Sequence, residues 1–379
     1  MSTRATQSLL LAGSTVLAIL CSGCEPGQGI TTGPAGQEDE SGSETRSAVV
    51  VTSDYTDTLL ARVGVDSLEV TDQLVAYAEG DVRVFAQDED VFVVSRTGAD
   101  VVRRFDGNTI AEGPTLEFST GAGSNPHTIK VCRDRLFVSL YDESAISIRE
   151  PINGVEVGRV DLTQYDEGSD GSCEPSSMVL YEDTLLVALE RFNLQTLEGD
   201  PVGWVVQVDC ETGDVIDSWQ TARNPSIQAD PSEEGRLLVR EGDFFQLDGA
   251  VRVLDIPSGS WIQTLVTEAD LQRDITGVAA NDGQLVVVAW DYAATPQTFD
   301  ILCLDRTTGS WLDGPSGLPQ NIWTVRTAPD GRVWIAALPP YDDPAAEHGI
   351  LVLDPTSCEL SNNGAWVPFS LPATDMAFP

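Results

Sequence analysis

The stretch Asn281 to Trp311, NDGQLVVVAWDYAATPQTFDILCLDRTTGSW, decides how this chain is read. Gln284–Ala289 reads as an apolar strand. A polar excursion with Tyr292 and Pro296 follows, then a second strand, Phe299–Leu304, and the turn DRTTG. An Asp at a strand end can cap such a turn through its side chain, and Gly supplies the positive φ that closes it. The same pattern recurs. Leu185–Leu189 leads to Val205–Val208 and DCETG, Leu237–Arg240 to Val251–Leu254 and DIPSG, and Val333–Ala337 to Ile350–Leu353 and DPTSC. A unit of this kind cannot bury its own apolar face, so it must stack on copies of itself.

Strand, loop, and a second strand ending in Asp-x-x-Thr-Gly resembles the repeat of bacterial YVTN/YncE-like β-propeller lipoproteins. GSNPHTIKVCRDRLFVSLYD, SDGSCEPSSMVLYEDTLLVALERF, LDGAVRVLD and RDITGVAA carry the resemblance, which runs from about Ala48 to the C-terminus. It implies an all-β, seven-bladed propeller with four-stranded antiparallel blades. It implies no particular activity, because propellers host many unrelated ones.

The spacing agrees with that count. Candidate innermost strands, one per blade, begin near Asp81 (DVRVFA), Pro126 (PHTIKV), Pro175 (PSSMVL), Pro225 (PSIQAD), Ile275 (ITGVAA), Ile322 (IWTVRT) and Ala373 (ATDMAF). Successive starts lie 45 to 51 residues apart, close to a four-stranded blade's roughly 40–50 residues. The last has no blade after it, while Ala48–Val51, Thr58–Val63 and Asp72–Tyr77 read as strands with no inner strand before them. The closing blade is therefore expected to join both termini, which removes free sheet edges. Glu268–Arg273 is expected to form one helical turn.

Acidic residues outnumber basic ones by 60 to 21, a net charge of −39. Such a field repels nucleic acid and anionic lipid, and would attract cations. The N-terminus begins with Arg4 in a short polar segment. An apolar run, Leu9–Leu20, is too short to cross a bilayer. Cys21-Ser22-Gly23-Cys24 resembles a lipobox, with Cys24 as the lipid-attachment residue. Residues 1–23 are thus expected to be a lipoprotein signal peptide and 24–46 a flexible acidic Gly/Ser/Pro tether spanning about 25 Å. The propeller is expected over 47–379, held at the cell envelope, with the outer membrane favoured because Glu25 rather than Asp follows Cys24. Membrane contact is expected through the lipid alone, and the protein is expected to be a monomer.

Beyond Cys24 stand Cys132, Cys173, Cys210, Cys303 and Cys358, with no zinc-type spacing. Export permits disulfides, although an odd count leaves one thiol over. Cys132 and Cys303, each inside an apolar strand, read as small buried hydrophobes.

Residues that open the inner strands should converge on one mouth of the central channel. Asn125, Glu174, Asn224, Asp274 and Asn321 stand there, with Asp375 slightly deeper and His127 beside them. A ring of oxygen ligands suits Ca²⁺, although Asn and Asp are also ordinary turn formers. Loops on the same face carry Tyr141, Phe192, Tyr292 and Tyr341, which as exposed aromatics would suit a protein, glycan or small ligand. There is no G-x-S-x-G and no H-E-x-x-H, and only two His, His127 and His348, occur. The expectation is a binding module at the envelope. The alternatives are a Ca²⁺-dependent, lactonase-like hydrolase working at the channel mouth, and a structural envelope protein.

Overall fold

A computed structural model describes residues 46–166, 171–193, 196 and 198–379. The predicted leader, Cys24 and the tether up to residue 45 lie outside the described residues. The chain forms seven four-stranded antiparallel sheets arranged as a seven-bladed β-propeller. Strands within a blade are named A to D from the channel outward. The A strands of blades 1 to 7 are Val82–Gln87, Pro126–Cys132, Pro175–Tyr181, Ser226–Ala229, Asp274–Ala280, Asn321–Thr327 and Ala373–Ala377. Each begins within one residue of the expected start. Blade 7 pairs the C-terminal strand with the N-terminal strands Ser47–Ser53, Thr58–Gly64 and Val70–Tyr77, closing the ring. The expected helical turn is Glu268–Leu271.

Side chains of a strand alternate between its two faces, and here both faces are buried. Leu185, Val187 and Leu189 of strand B in blade 3 enter a core shared with Phe137 and Ile146 of blade 2. The intervening Leu186 and Ala188 enter a core shared with Leu237 and Val239 of blade 4. Seven apolar cores result, one between each pair of neighbouring blades.

The repeated turns close as the sequence suggests. Asp305 Oδ1 accepts the N–H groups of Thr307 and Thr308 at 2.9 Å each, and Asp209 Oδ1 accepts those of Glu211 and Thr212. These bonds hold both carboxyls below their ordinary range. Gly309 takes φ +71°. Strands alternate in direction, so these C-to-D turns lie on one face, here the lower. The B-to-C and D-to-A loops lie on the upper face.

Two covalent links join blades on the lower side. Cys132 is bonded to Cys210 across blades 2 and 3, and Cys303 to Cys358 across blades 5 and 6. The reading of Cys132 and Cys303 as plain buried hydrophobes is thereby corrected. Their partners come from the next blade's lower edge, which no spacing within one repeat reveals. Among the described residues Cys173 is the remaining thiol, buried and free. Arg306 of blade 5 meets Asp230 of blade 4 through two bonds at 2.6 and 2.5 Å. Burial works to raise Asp230, yet Arg306 and Ser232 hold it below its ordinary range.

Candidate functional site: the central channel

The A strands splay around the axis, so their inner edges lack a strand partner. Side chains from neighbouring blades fill part of that need. Ser139 donates to the Ser176 carbonyl at 3.1 Å, and Ser177 Oγ accepts Ile227 N–H at 2.9 Å. Thr276 donates to Ile322 O at 3.1 Å and Thr324 to Thr374 O at 2.9 Å. The Gln87 side chain both donates to and accepts from Val131. Asp375, fully buried, accepts Val84 N–H at 3.2 Å.

Register breaks at the upper ends of these strands aim side chains inward. Ladders of blades 2, 3, 5, 6 and 7 each slip there, at Pro126/Ile129, Pro175/Met178, Ile275/Gly277, Ile322/Thr324 and opposite Val51/Thr52. Such bulges re-aim a strand's side chains. His127, Ser176, Ser177, Thr276 and Trp323 sit in the slips, and all line a channel cavity of about 720 Å³. Asn125, Glu174 and Asn224, each just before a proline, take left-handed φ of 48°, 44° and 48°. That conformation is uncommon for any residue but glycine, least so for Asn and Asp.

The ring residues themselves serve the surrounding turns. Asn125 Nδ2 donates to Asp142 at 3.2 Å, and Asn321 Nδ2 donates to Pro339 O at 2.9 Å. Asp274 Oδ2 accepts Phe245 N–H at 2.6 Å. Burial raises Asp274 to about 6, against that hydrogen bond and with help from Asp248. Glu174 and Asn224 are buried beside them. Among the described residues, Asn125 Oδ1 and Asp274 Oδ1 have no donor, but they belong to blades 2 and 5. Among the described residues, no three His, Cys, Asp or Glu side chains group as metal ligands.

The channel wall is instead rich in cations. Arg83, Arg96, Lys130, Arg240 and Arg326 line it, against the carboxylates Glu190 and Asp375. Arg96 pairs with Asp81 at 2.6 Å, and Arg326 with Asp375 at 3.2 Å. Arg83 donates to Thr324 Oγ1 and Arg240 to Ile275 O, both at 3.3 Å. Arg96 also approaches His127 Nε2 at 3.1 Å. Burial, then the charges of Arg96 and Arg83, hold His127 well below the usual imidazole range, so the ring is neutral. Nε2 then accepts from Arg96. His127 stacks on Tyr141 with ring centroids 3.9 Å apart, and Tyr141 donates to Glu190 at 2.9 Å. Burial raises Glu190, against the nearby Ser176 hydroxyl and its bond to Tyr141.

The aromatic residues divide. Tyr341 is 85% exposed, whereas Tyr141 and Phe192 are buried, at 5% and 7%. The expectation of exposure is therefore corrected for those two, since one stacks on His127 and the other meets Phe244 edge-on. Tyr292 is half-buried in a chain of aromatic contacts through Phe245, Trp290, Phe299 and Trp323 that ends at the channel wall. Phe245, at φ +64° and 51% exposed, is the outermost of these. Sequence reading missed the cations, although DVRVFA, PHTIKV and IWTVRT each place one in an inner strand.

Searches of family models and of curated proteins found no match. Solved structures share the fold. The chain is similar to a candidate 6-phosphogluconolactonase from Bacteroides fragilis, at 13% identity and TM-score 0.61, covering 90% of this chain and 100% of that one. It is also similar to Kuenenia stuttgartiensis hydrazine synthase, at 14% identity and TM-score 0.55, covering 73% and 76%. A third is the β-propeller domain of Myceliophteria thermophila Cps50 (Swd1), at 14% identity and TM-score 0.55, covering 78% and 94%. At these identities the likeness is one of fold.

Proposed function

We propose that this chain is an extracytoplasmic binding propeller, anchored by lipid on Cys24, that takes its ligand into the central channel from the upper face. The observation that carries the reading is the set of register slips. They turn His127, Ser176, Ser177, Thr276 and Trp323 into one cavity of about 720 Å³, within the size of ordinary ligand sites. Two disulfides suit an oxidising compartment. The test is native mass spectrometry of the protein purified from its host, beside Gln228→Trp, which fills the channel. Small molecules released from the wild type should be missing from the variant. An identical set from both would sink the channel as the binding site. Cys24→Ala should move the protein out of the membrane fraction.

A second reading, a lactonase-like hydrolase, draws on neutral His127 beside Arg96 and on Glu190 beside Tyr141. A neutral imidazole could serve as a base there. The reading needs no calcium, and the channel cations would oppose a divalent ion. Lactone-opening activity that His127→Gln abolishes without unfolding the protein would favour it.

A further inference from the structure

We propose that the channel's ligand is a small organic polyanion, one bearing carboxylate or phosphate groups, seated on Arg83, Arg96 and Arg240. This rests on the channel being the binding site and adds the chemistry of what fills it.

The first support is charge placement. The chain carries −39 net charge and only 21 basic residues, yet five of them, including its single lysine, line one cavity. The second is pairing. Most described arginines meet a carboxylate, on exposed turns as well as in the blades. Arg83, Lys130 and Arg240 form no ion pair among the described residues, and the first and last have only a hydroxyl or carbonyl acceptor. Cations withdrawn from water without a directly paired anion are costly, so their persistence asks for one; Glu190 and Glu268 act on Arg240 only from beyond ion-pair distance. The third is crowding. Burial and then Arg83 lower Arg96, while burial and then Arg326 lower Lys130. Like charges pressed together are relieved by an anion between them. Among the described residues the Gln228 amide nitrogen, also in the wall, lacks an acceptor.

Strand direction sorts the cations into two tiers. Arg83 is second in its A strand, Arg96 directly follows the upper end of B strand Asp90–Ser95, and Arg240 is next to last in B strand Arg236–Glu241, so these three lie near the mouth. Lys130 and Arg326 come late in their A strands, toward the lower face. Guanidinium groups bind planar oxyanions through paired bonds. Phe85 and Trp323 supply apolar wall beside them, which suits an organic anion better than a bare inorganic one.

The test uses the full chain at constant ionic strength, with citrate, inorganic phosphate, a neutral disaccharide and calcium as probes. Tryptophan fluorescence and thermal melting are the readouts. Citrate should give a saturable response and a higher melting temperature, phosphate a weaker one. Arg83→Gln and Arg240→Gln should each weaken citrate at least tenfold, while the exposed lower-face control Arg133→Gln leaves it unchanged. Equal citrate binding by wild type and both variants would overturn the seat. A saturable response to the disaccharide but not to citrate would keep the channel and overturn the polyanion. A saturable calcium response with none to either anion would overturn it in favour of the acidic ring. Silence toward all four would count against both the polyanion and the channel.

Discussion

The lower ends of the blades and the channel handle charge in opposite ways. Below, polar groups meet fixed partners. Asp305 and Asp209 hold their own turns, Arg306 clasps Asp230, and Arg133 reaches Asp183 and Glu211 at 2.6 and 2.8 Å. Two disulfides lie on the same side. In the channel, Arg83, Lys130 and Arg240 form no ion pair among the described residues, although Glu190 and Glu268 act on Arg240 from farther away. A fold selected only for stability would not keep such features together. Unmatched charge is what functional sites retain at the expense of stability.

The contrast predicts a graded set of outcomes. Arg306→Ala leaves the buried Asp230 carboxylate without its partner, and should cost about 3 kcal/mol in urea unfolding while sparing the citrate response. A loss of both together would erase the division between the two regions. Replacing Cys303 and Cys358 by Ser should cost about 2–4 kcal/mol, again with the channel response intact. The channel should behave in reverse. Lys130→Met removes an unmatched, half-buried cation and should raise stability by about 1 kcal/mol, since function-bound strain is relieved; a clear loss would mean that Lys130 has a structural partner.

A separate effect is a pH slope at the upper face. Burial raises Glu268 to about 7 and Asp274 to about 6, from ordinary values of 4.5 and 3.8. Between those limits the folded state binds more protons than the unfolded one. Stability from this pair is therefore present at low pH and lost as pH rises from about 4 to about 7. Glu268→Gln with Asp274→Asn should flatten that fall. An unchanged slope in the double variant would show that these carboxyls titrate normally.

The fold was legible because a repeat states its own period. The inner strands were found from their apolar pattern and their even spacing, three of them opening on a proline. The Asp-x-x-Thr-Gly turns were legible because their bonds are local. The channel was less so. Arg83, Lys130, Arg240 and Arg326 are tens of residues apart and meet only because the ring closes, so no window of sequence contains their juxtaposition. The acidic and amide ring drew attention instead, because Asn125, Glu174 and Asn224, each before a proline, are conspicuous. Their side chains largely serve turns. The disulfides share this opacity, since each joins one blade to the next.

The closure in blade 7 has a mechanical consequence. Ser47–Ser53 lies between two neighbours, in register with Thr58–Gly64 along its whole length and with Ala373–Ala377 along part of it. A pull on residue 46 runs along that strand. It loads both ladders in shear, so many hydrogen bonds must give way at once instead of one after another. The shorter ladder is the one to the C-terminal strand, so a sufficient pull would open the ring there and release the last strand first. Tension applied at the N-terminus would then be felt at the wall of the channel, because Asp375 belongs to that strand and holds Arg326.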